Sequence, residues 1–418
     1  METCETCSSR RNFLKLSGTS LFLLGLGRGA GLASALAPST QSARRSVLVV
    51  FFQRGAADGL HMVAPYRESR YRGLRGGLAL PEPGKGENDT RDAGDGFAFH
   101  PALARLHALY SDRKLAVVHA VGSPDTTRSH FDAQDYMESG TPGNKGTRDG
   151  WLNRALGLMD ASAPSSPFRA VALTSTMPRS LAGKADAIAM QDFGSMRARD
   201  GNASLAERIE TLYKADPAPD FQKAGEEAFN AIEMFRKADP LGIPARAGVK
   251  YGRGRDSEGF RQLACLIKAD LGVRVAFLDG GGWDTHFNQG AATGQMSNNL
   301  RQLSDNISAL VEDVGDVPVT VMTMTEFGRT AAINGAGGTD HGHGTAMFVA
   351  GAGVNGGRVL GQWPGLGSDL YEGRDLAVTT DFRDLFSEVA VAALGLPKDA
   401  ALFPGYTVKG RTGVMKAA

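Results

Sequence analysis

Two short β-rich runs, residues 273–278 and 317–323, each hand over within a few positions to side chains that bind metals. Asp284 and His286 follow the first run through a triple glycine, and Glu326 follows the second, with Asp340, His341 and His343 beyond it. Between the runs, Leu300, Leu303, Ile307, Leu310, Val311 and Val314 recur at the spacing of one helix face. Strand, helix, strand is a βαβ unit, and open α/β sheets bind ligands beyond the carboxyl ends of their strands. The polar clusters stand at those ends. Three of the chain's eight histidines fall here.

Imidazole nitrogens with carboxylate oxygens suit zinc, manganese or iron better than calcium. The run DHGHG at 340–344 is the most specific part, because two histidines around one glycine beside an aspartate have little reason to meet in a packed core. The expected ligands of one or two divalent ions are Asp284, His286, Glu326, His341 and His343. Asp340 is either a ligand or a partner that orients an imidazole. Asp58, in the glycine-rich loop after VLVVFFQ, joins them if that strand neighbours the other two. His61, His100, His107 and His119 read as core or surface histidines. Ser129 stands where a strand gives way to a helix; it reads either as an N-cap or as a nucleophile activated by an adjacent metal.

Both VLVVFFQ (Val47–Gln53) and LAVVHAVG (Leu115–Gly122) are continuous apolar runs, the pattern of parallel strands buried on both faces. Helical periodicity marks 99–112, 131–140, 206–216, 226–239, 260–271 and 382–396. Strands alternating with helices predict an α/β fold with a mostly parallel sheet. The expected organisation is one domain over 47–405, with a helical insertion near 140–259 and a loose tail over 406–418. Gly351, Gly353 and Gly356 match a dinucleotide-binding spacing, but GRVLGQWPG after them is no helix, so that fingerprint lacks its context.

The first 37 residues read as a targeting signal. Arg10 and Arg11 precede a mildly apolar stretch interrupted by Arg28, with an Ala-x-Ala pattern at Ala33 and Ala35. This is the twin-arginine export pattern, followed by a linker over 38–46. The expected partner is the twin-arginine machinery, the expected location periplasmic or secreted, and no transmembrane anchor is expected in the mature chain. Cys4 and Cys7 would leave with the signal, and Cys265 alone cannot form a disulfide. A formal charge of +1 argues against a nucleic-acid partner.

The segments QRGAADGL, RSHFDAQDYMESG, GWDTH, TEFGRT and TDHGHGT resemble those of the exported family known as domain of unknown function 1501, within the alkaline-phosphatase-like superfamily. The resemblance implies a three-layer α/β/α sandwich and a two-metal site for phosphate or sulfate esters, hence a small anionic ester as substrate. The superfamily places Asp and His after one strand, an Asp-His pair after the next, and a lone His later. Asp284 and His286 fit the first group. For the second, strand position selects Glu326-Phe327, whereas the letters select Asp340-His341. Phe327 cannot bind metal, and Gln53 stands where the superfamily has an Asp. A non-catalytic exported binding or assembly protein that keeps the fold is therefore the alternative reading.

Overall fold

The computed structural model describes residues 23–24, 46–159, 166–196 and 219–417. The export signal and linker fall outside these residues, except for Leu23–Leu24 and Ser46, as does the helix expected over 206–216.

The main sheet contains β1 (Val47–Gln53), β2 (Leu115–Gly122), β3 (Ala170–Ala172), β4 (Ile188–Ala189), β5 (Val275–Gly280), β6 (Val319–Met324), β7 (Thr345–Gly351), β8 (Val359–Leu360) and β9 (Thr380–Asp381). Their order is β4-β3-β5-β1-β6-β7-β2-β8, with β9 also on β2 and Leu23–Leu24 beside β4. β7 runs antiparallel to β6 and β2, and Leu23–Leu24 runs antiparallel to β4. The remaining pairings are parallel. The fold is thus mixed α/β with a large, mostly parallel sheet. A small second sheet joins 63–64, 97–99 and 91–94.

All seven residues of β1 are buried, as its unbroken apolar run requires. Successive side chains point to opposite faces of a strand, and β1 divides accordingly. Val47, Val49 and Phe51 enter one core with Leu106 of α1 (Ala104–Ser111), Phe260 and Leu263 of α5 (Arg255–Lys268), and Leu300, Leu303 and Ile307 of α6 (Gln295–Asp313). Leu48, Val50 and Phe52 enter a second core with Trp151 of α3 (Trp151–Leu158) and Phe382, Leu385 and Val389 of α7 (Phe382–Leu394). Each large apolar side chain buried there is worth roughly 1.5–3 kcal/mol. Two further helices are α2 (His130–Ser139) and α4 (Pro219–Ala238).

The runs expected at 273–278 and 317–323 form β5 and β6, each starting two residues later. The region 140–259 supplies β3 and β4 to the main sheet besides its helices. After Gly356 comes β8 rather than a helix. Within the expected loose tail, Val414 and Met415 are buried, and Glu388 accepts hydrogen bonds from Thr412, Gly413 and the Met415 amide. No helix among the described residues is long and apolar enough to cross a membrane.

Candidate metal centre

Register decides which loops meet. Gln53 pairs with Gly280 and Phe52 with Met324, so β1, β5 and β6 end side by side. Their following loops carry Arg54–Asp58, Asp284–His286 and Thr325–Arg329 to one edge. β7 runs the other way, so its first residue stands at that edge and the preceding DHGHG is delivered there. β2 ends beside it, with Thr345 opposite Val121, and the chain then enters α2 at His130.

Four side chains converge. His130 Nε2 and His286 Nε2 each lie 2.9 Å from His341 Nε2. Asp284 Oδ1 is 3.0 Å from His286 Nε2, 3.3 Å from His341 Nε2 and 3.6 Å from His130 Nε2. The other nitrogen of each ring is engaged elsewhere. His130 Nδ1 is 2.7 Å from Glu326 Oε1, His286 Nδ1 is 2.9 Å from Asp340 Oδ1, and His341 Nδ1 is 2.9 Å from the Arg128 carbonyl oxygen. Ionised carboxylates and carbonyls only accept, so the proton of each neutral imidazole sits on Nδ1 and a lone pair occupies Nε2. Three such lone pairs and a carboxylate oxygen therefore face one another at hydrogen-bond distance with no hydrogen among them. They repel unless a proton on one Nε2 or a metal ion lies between them. The N/O donor set fits a divalent transition metal, and the ligand atoms of His130, Asp284 and His341 all lie within 4.8 Å of one another. Among the described residues this is the one such grouping.

The surroundings hold these rings in place. Glu326 is buried and accepts from the Gly55 amide at 2.8 Å and Gln134 Nε2 at 2.9 Å as well as from His130. Burial pushes its carboxyl up, but the bonds from His130, Gln134 and Gly55 outweigh that and hold it below the usual range. Glu326 in turn raises His130. The buried Arg329 guanidinium donates to the carbonyls of Ala56, Gly55, Thr339 and Trp283 at 2.8, 2.6, 2.9 and 3.2 Å, and to the Asp284 carboxylate. Burial raises Asp284, and the Arg329 bond and charge more than reverse it. A Cβ on Gly342 would sit 2.3 Å from the Arg329 carbonyl carbon, so the glycine between the two histidines is there for close approach. The Phe327 ring packs 5.0 Å from His130 and 5.1 Å from His341.

The family profile described as "Protein of unknown function (DUF1501)" matches residues 116–402, a span that includes His130, Asp284, His286 and His341. The chain belongs to that family. No curated protein matches it. Among solved structures, it is similar to the C-terminal periplasmic domain of EcEptC from Escherichia coli, at 11% identity over 90% of this chain and 93% of that one, TM-score 0.35. The zinc complex of the same domain aligns at 11% identity over 76% and 77%, TM-score 0.33. Phosphonate monoester hydrolase SpPMH from Silicibacter pomeroyi aligns at 12% identity over 88% and 76%, TM-score 0.31.

In this DUF1501 chain the sequence-derived site residues separate into three sets. Asp284, His286 and His341 meet. Glu326 and Asp340 stand one shell further out, each on the Nδ1 of a clustered ring. Asp58 and His343 lie elsewhere. Asp58 was expected as a ligand, yet its carboxylate is fully buried against Arg75, with oxygens 2.6 and 2.7 Å from the guanidinium nitrogens and 2.8 Å from Gln289 Nε2. Burial pushes its pKa up, and Arg75 overrides that and lowers it. His343 stacks on Tyr371 with centroids 4.6 Å apart. Ser129 is the N-cap of α2 and makes no side-chain cap bond. His130 was not foreseen as a ligand. Its signals are a place in the family-like segment RSHFDAQDYMESG and a position in the first turn of a helix after a buried strand, and neither marks it as a ligand.

Proposed function

We propose that this DUF1501 protein holds one divalent ion, zinc, manganese or iron, through His130, Asp284, His286 and His341, and hydrolyses phosphate or sulfate esters with it outside the inner membrane. The observation that carries the metal is the set of Nε2 lone pairs turned inward while every Nδ1 is engaged. The ester chemistry follows from that centre together with the sequence resemblance to the alkaline-phosphatase-like superfamily. We read the two-sided core as that superfamily's three-layer α/β/α sandwich, and the twin-arginine route as its path of export.

Bound here, the ion would supply Lewis-acid polarisation of an ester oxygen. Asp284 stays 45% exposed on its side chain, so one side of the cluster is open to a ligand. Glu326, Asp340 and the Arg128 carbonyl fix the tautomer and tilt of the three rings, which is the work of outer-shell partners in metal sites. Ser129 is our nucleophile. Its hydroxyl is not consumed by capping, and it stands at the positive end of the α2 dipole, which favours negative charge there.

A non-catalytic binding protein is the second reading, favoured by Phe327. Its ring fills the place where a second ion's ligand would stand, which leaves one cluster rather than two. Metal analysis of the purified protein, with a panel of mono- and diesters, separates the readings. Bound metal with turnover lost in His130→Ala supports the hydrolase. Metal without turnover supports the binding protein. Absence of metal after growth with each of the three ions sinks the hydrolase.

A further inference from the structure

Among the described residues, two large apolar side chains stand far more open than the rest: Phe131 is 89% exposed and Phe287 is 70%, while the next reaches 41%. Each directly follows a histidine of the cluster, His130 in one case and His286 in the other. Neighbouring Cα atoms are about 3.8 Å apart, so both rings are rooted one residue from groups whose Nε2 atoms converge. The Phe287 ring centroid is 6.4 Å from that of His286. Local packing asks for neither ring. The buried face of α2 is formed by Ala133, Tyr136 and Met137, with Phe131 outside it. Single exposed apolar residues are ordinary on protein surfaces, whereas neighbouring ones rimmed by polar groups mark binding sites. Here two exposed rings come from separate elements, each attached one residue from a histidine of the same polar centre.

We propose that Phe131 and Phe287 form an apolar rim that selects ligands whose anionic head is joined to an aromatic or similarly flat apolar group, such as an aryl phosphate or aryl sulfate. The head meets the cluster and the flat group lies against the rings, where aromatic contacts are favourable. This rests on the reading of the cluster as a cation site that takes an anion. A bilayer is a poorer occupant. The carboxylates of Asp284 and Asp340, both against His286, are exposed at 45% and 53% of their side chains and would oppose an anionic membrane surface.

The test is calorimetric titration of zinc-loaded protein with phenylphosphonate and methylphosphonate, which share a head group. Phenylphosphonate binds tighter by about five- to tenfold, and the Phe131→Ala/Phe287→Ala double variant brings that ratio close to one. Both rings are in solvent, so the variant keeps its melting temperature. Equal affinities in the parent, or a ratio that survives the double variant, overturn the rim alone. If neither phosphonate binds the zinc-loaded protein, the functional reading fails and takes the rim with it. Phenylalanine-dependent sedimentation with phosphatidylcholine vesicles reassigns the rings to a bilayer and also overturns the proposal.

Discussion

Two groups of histidines in this molecule use their nitrogens in opposite ways. In the interior, His100 and His119 are complete: Nδ1 accepts a backbone amide, from Ala102 and Ala120 at 3.0 Å, while Nε2 donates to the carbonyls of Ala291 and Val63 at 2.9 and 3.0 Å. At the sheet edge, His130, His286 and His341 donate from Nδ1 and leave Nε2 facing another Nε2. The acids divide the same way. Asp58 is neutralised by Arg75 and sealed, whereas Asp284 shares its Arg329 with four carbonyls and remains open. Among these histidines, the edge cluster is marked by Nε2 atoms whose partners are missing from the chain, and the interior pair, His100 and His119, by ring nitrogens whose partners are both present.

The largest effect expected from this contrast is at Asp58. Arg75→Met leaves a buried carboxylate without its counter-charge, which costs about 3–5 kcal/mol. Urea unfolding measures that loss, while metal per folded molecule stays at the parent value. Loss of metal without loss of stability would mean Asp58 belongs to the centre after all. His341→Ala acts in reverse. It removes the ring that touches both other imidazoles, so metal affinity falls by more than about 100-fold, beyond what a change of outer partner causes. The metal-free protein loses little stability, because the deletion also relieves facing lone pairs. A large stability loss in the metal-free form would show that these nitrogens are satisfied without a cation.

Strands and helices were legible because burial on both faces leaves an unbroken apolar run, as in Val47–Gln53 and Leu115–Gly122, and one-sided burial leaves the α6 stripe. Of the clustered residues, Asp284 and His286 were legible because they follow a strand through glycines, and His341 because two histidines stand around one glycine beside an aspartate. What escaped depended on direction and distance. No strand was read at 345–351, and it is the antiparallel run of this strand beside β6 that delivers His341 to the centre. Asp58 and Asp284 both follow a strand through glycines. What separates them is Arg75, 17 residues away from Asp58 in sequence, and no local pattern announces that pairing.

A smaller effect is expected at Glu326. Glu326→Gln keeps an oxygen for the His130 Nδ1 proton but removes the charge, so metal affinity drops about 10–100-fold. Competition against a chelator reads this, and an unchanged affinity would demote Glu326 from its role in setting the His130 tautomer.

The smallest effect separates the two groups by pH. Burial lowers His100 to about 3 and His119 to about 4, and geometry agrees, since a proton on either Nδ1 would point at a backbone N–H. In the unfolded chain both titrate near 6.5. Their contribution is therefore fully present above about pH 6.5, and stability falls as pH drops below it. There the unfolded chain takes up protons that the folded chain refuses until its own, lower pKa is reached. The slope is at most about 1.4 kcal/mol per pH unit for each ring. His119→Gln cannot supply both bonds and is less stable at pH 7, but its stability varies less between pH 6.5 and 4. Urea midpoints at pH 7, 6 and 5, taken in chelator so that the metal cluster titrates alike in both proteins, give the two slopes. Parallel curves for parent and variant would mean that the interior ring is not held neutral, and the distinction between complete and incomplete histidines would lose its energetic basis.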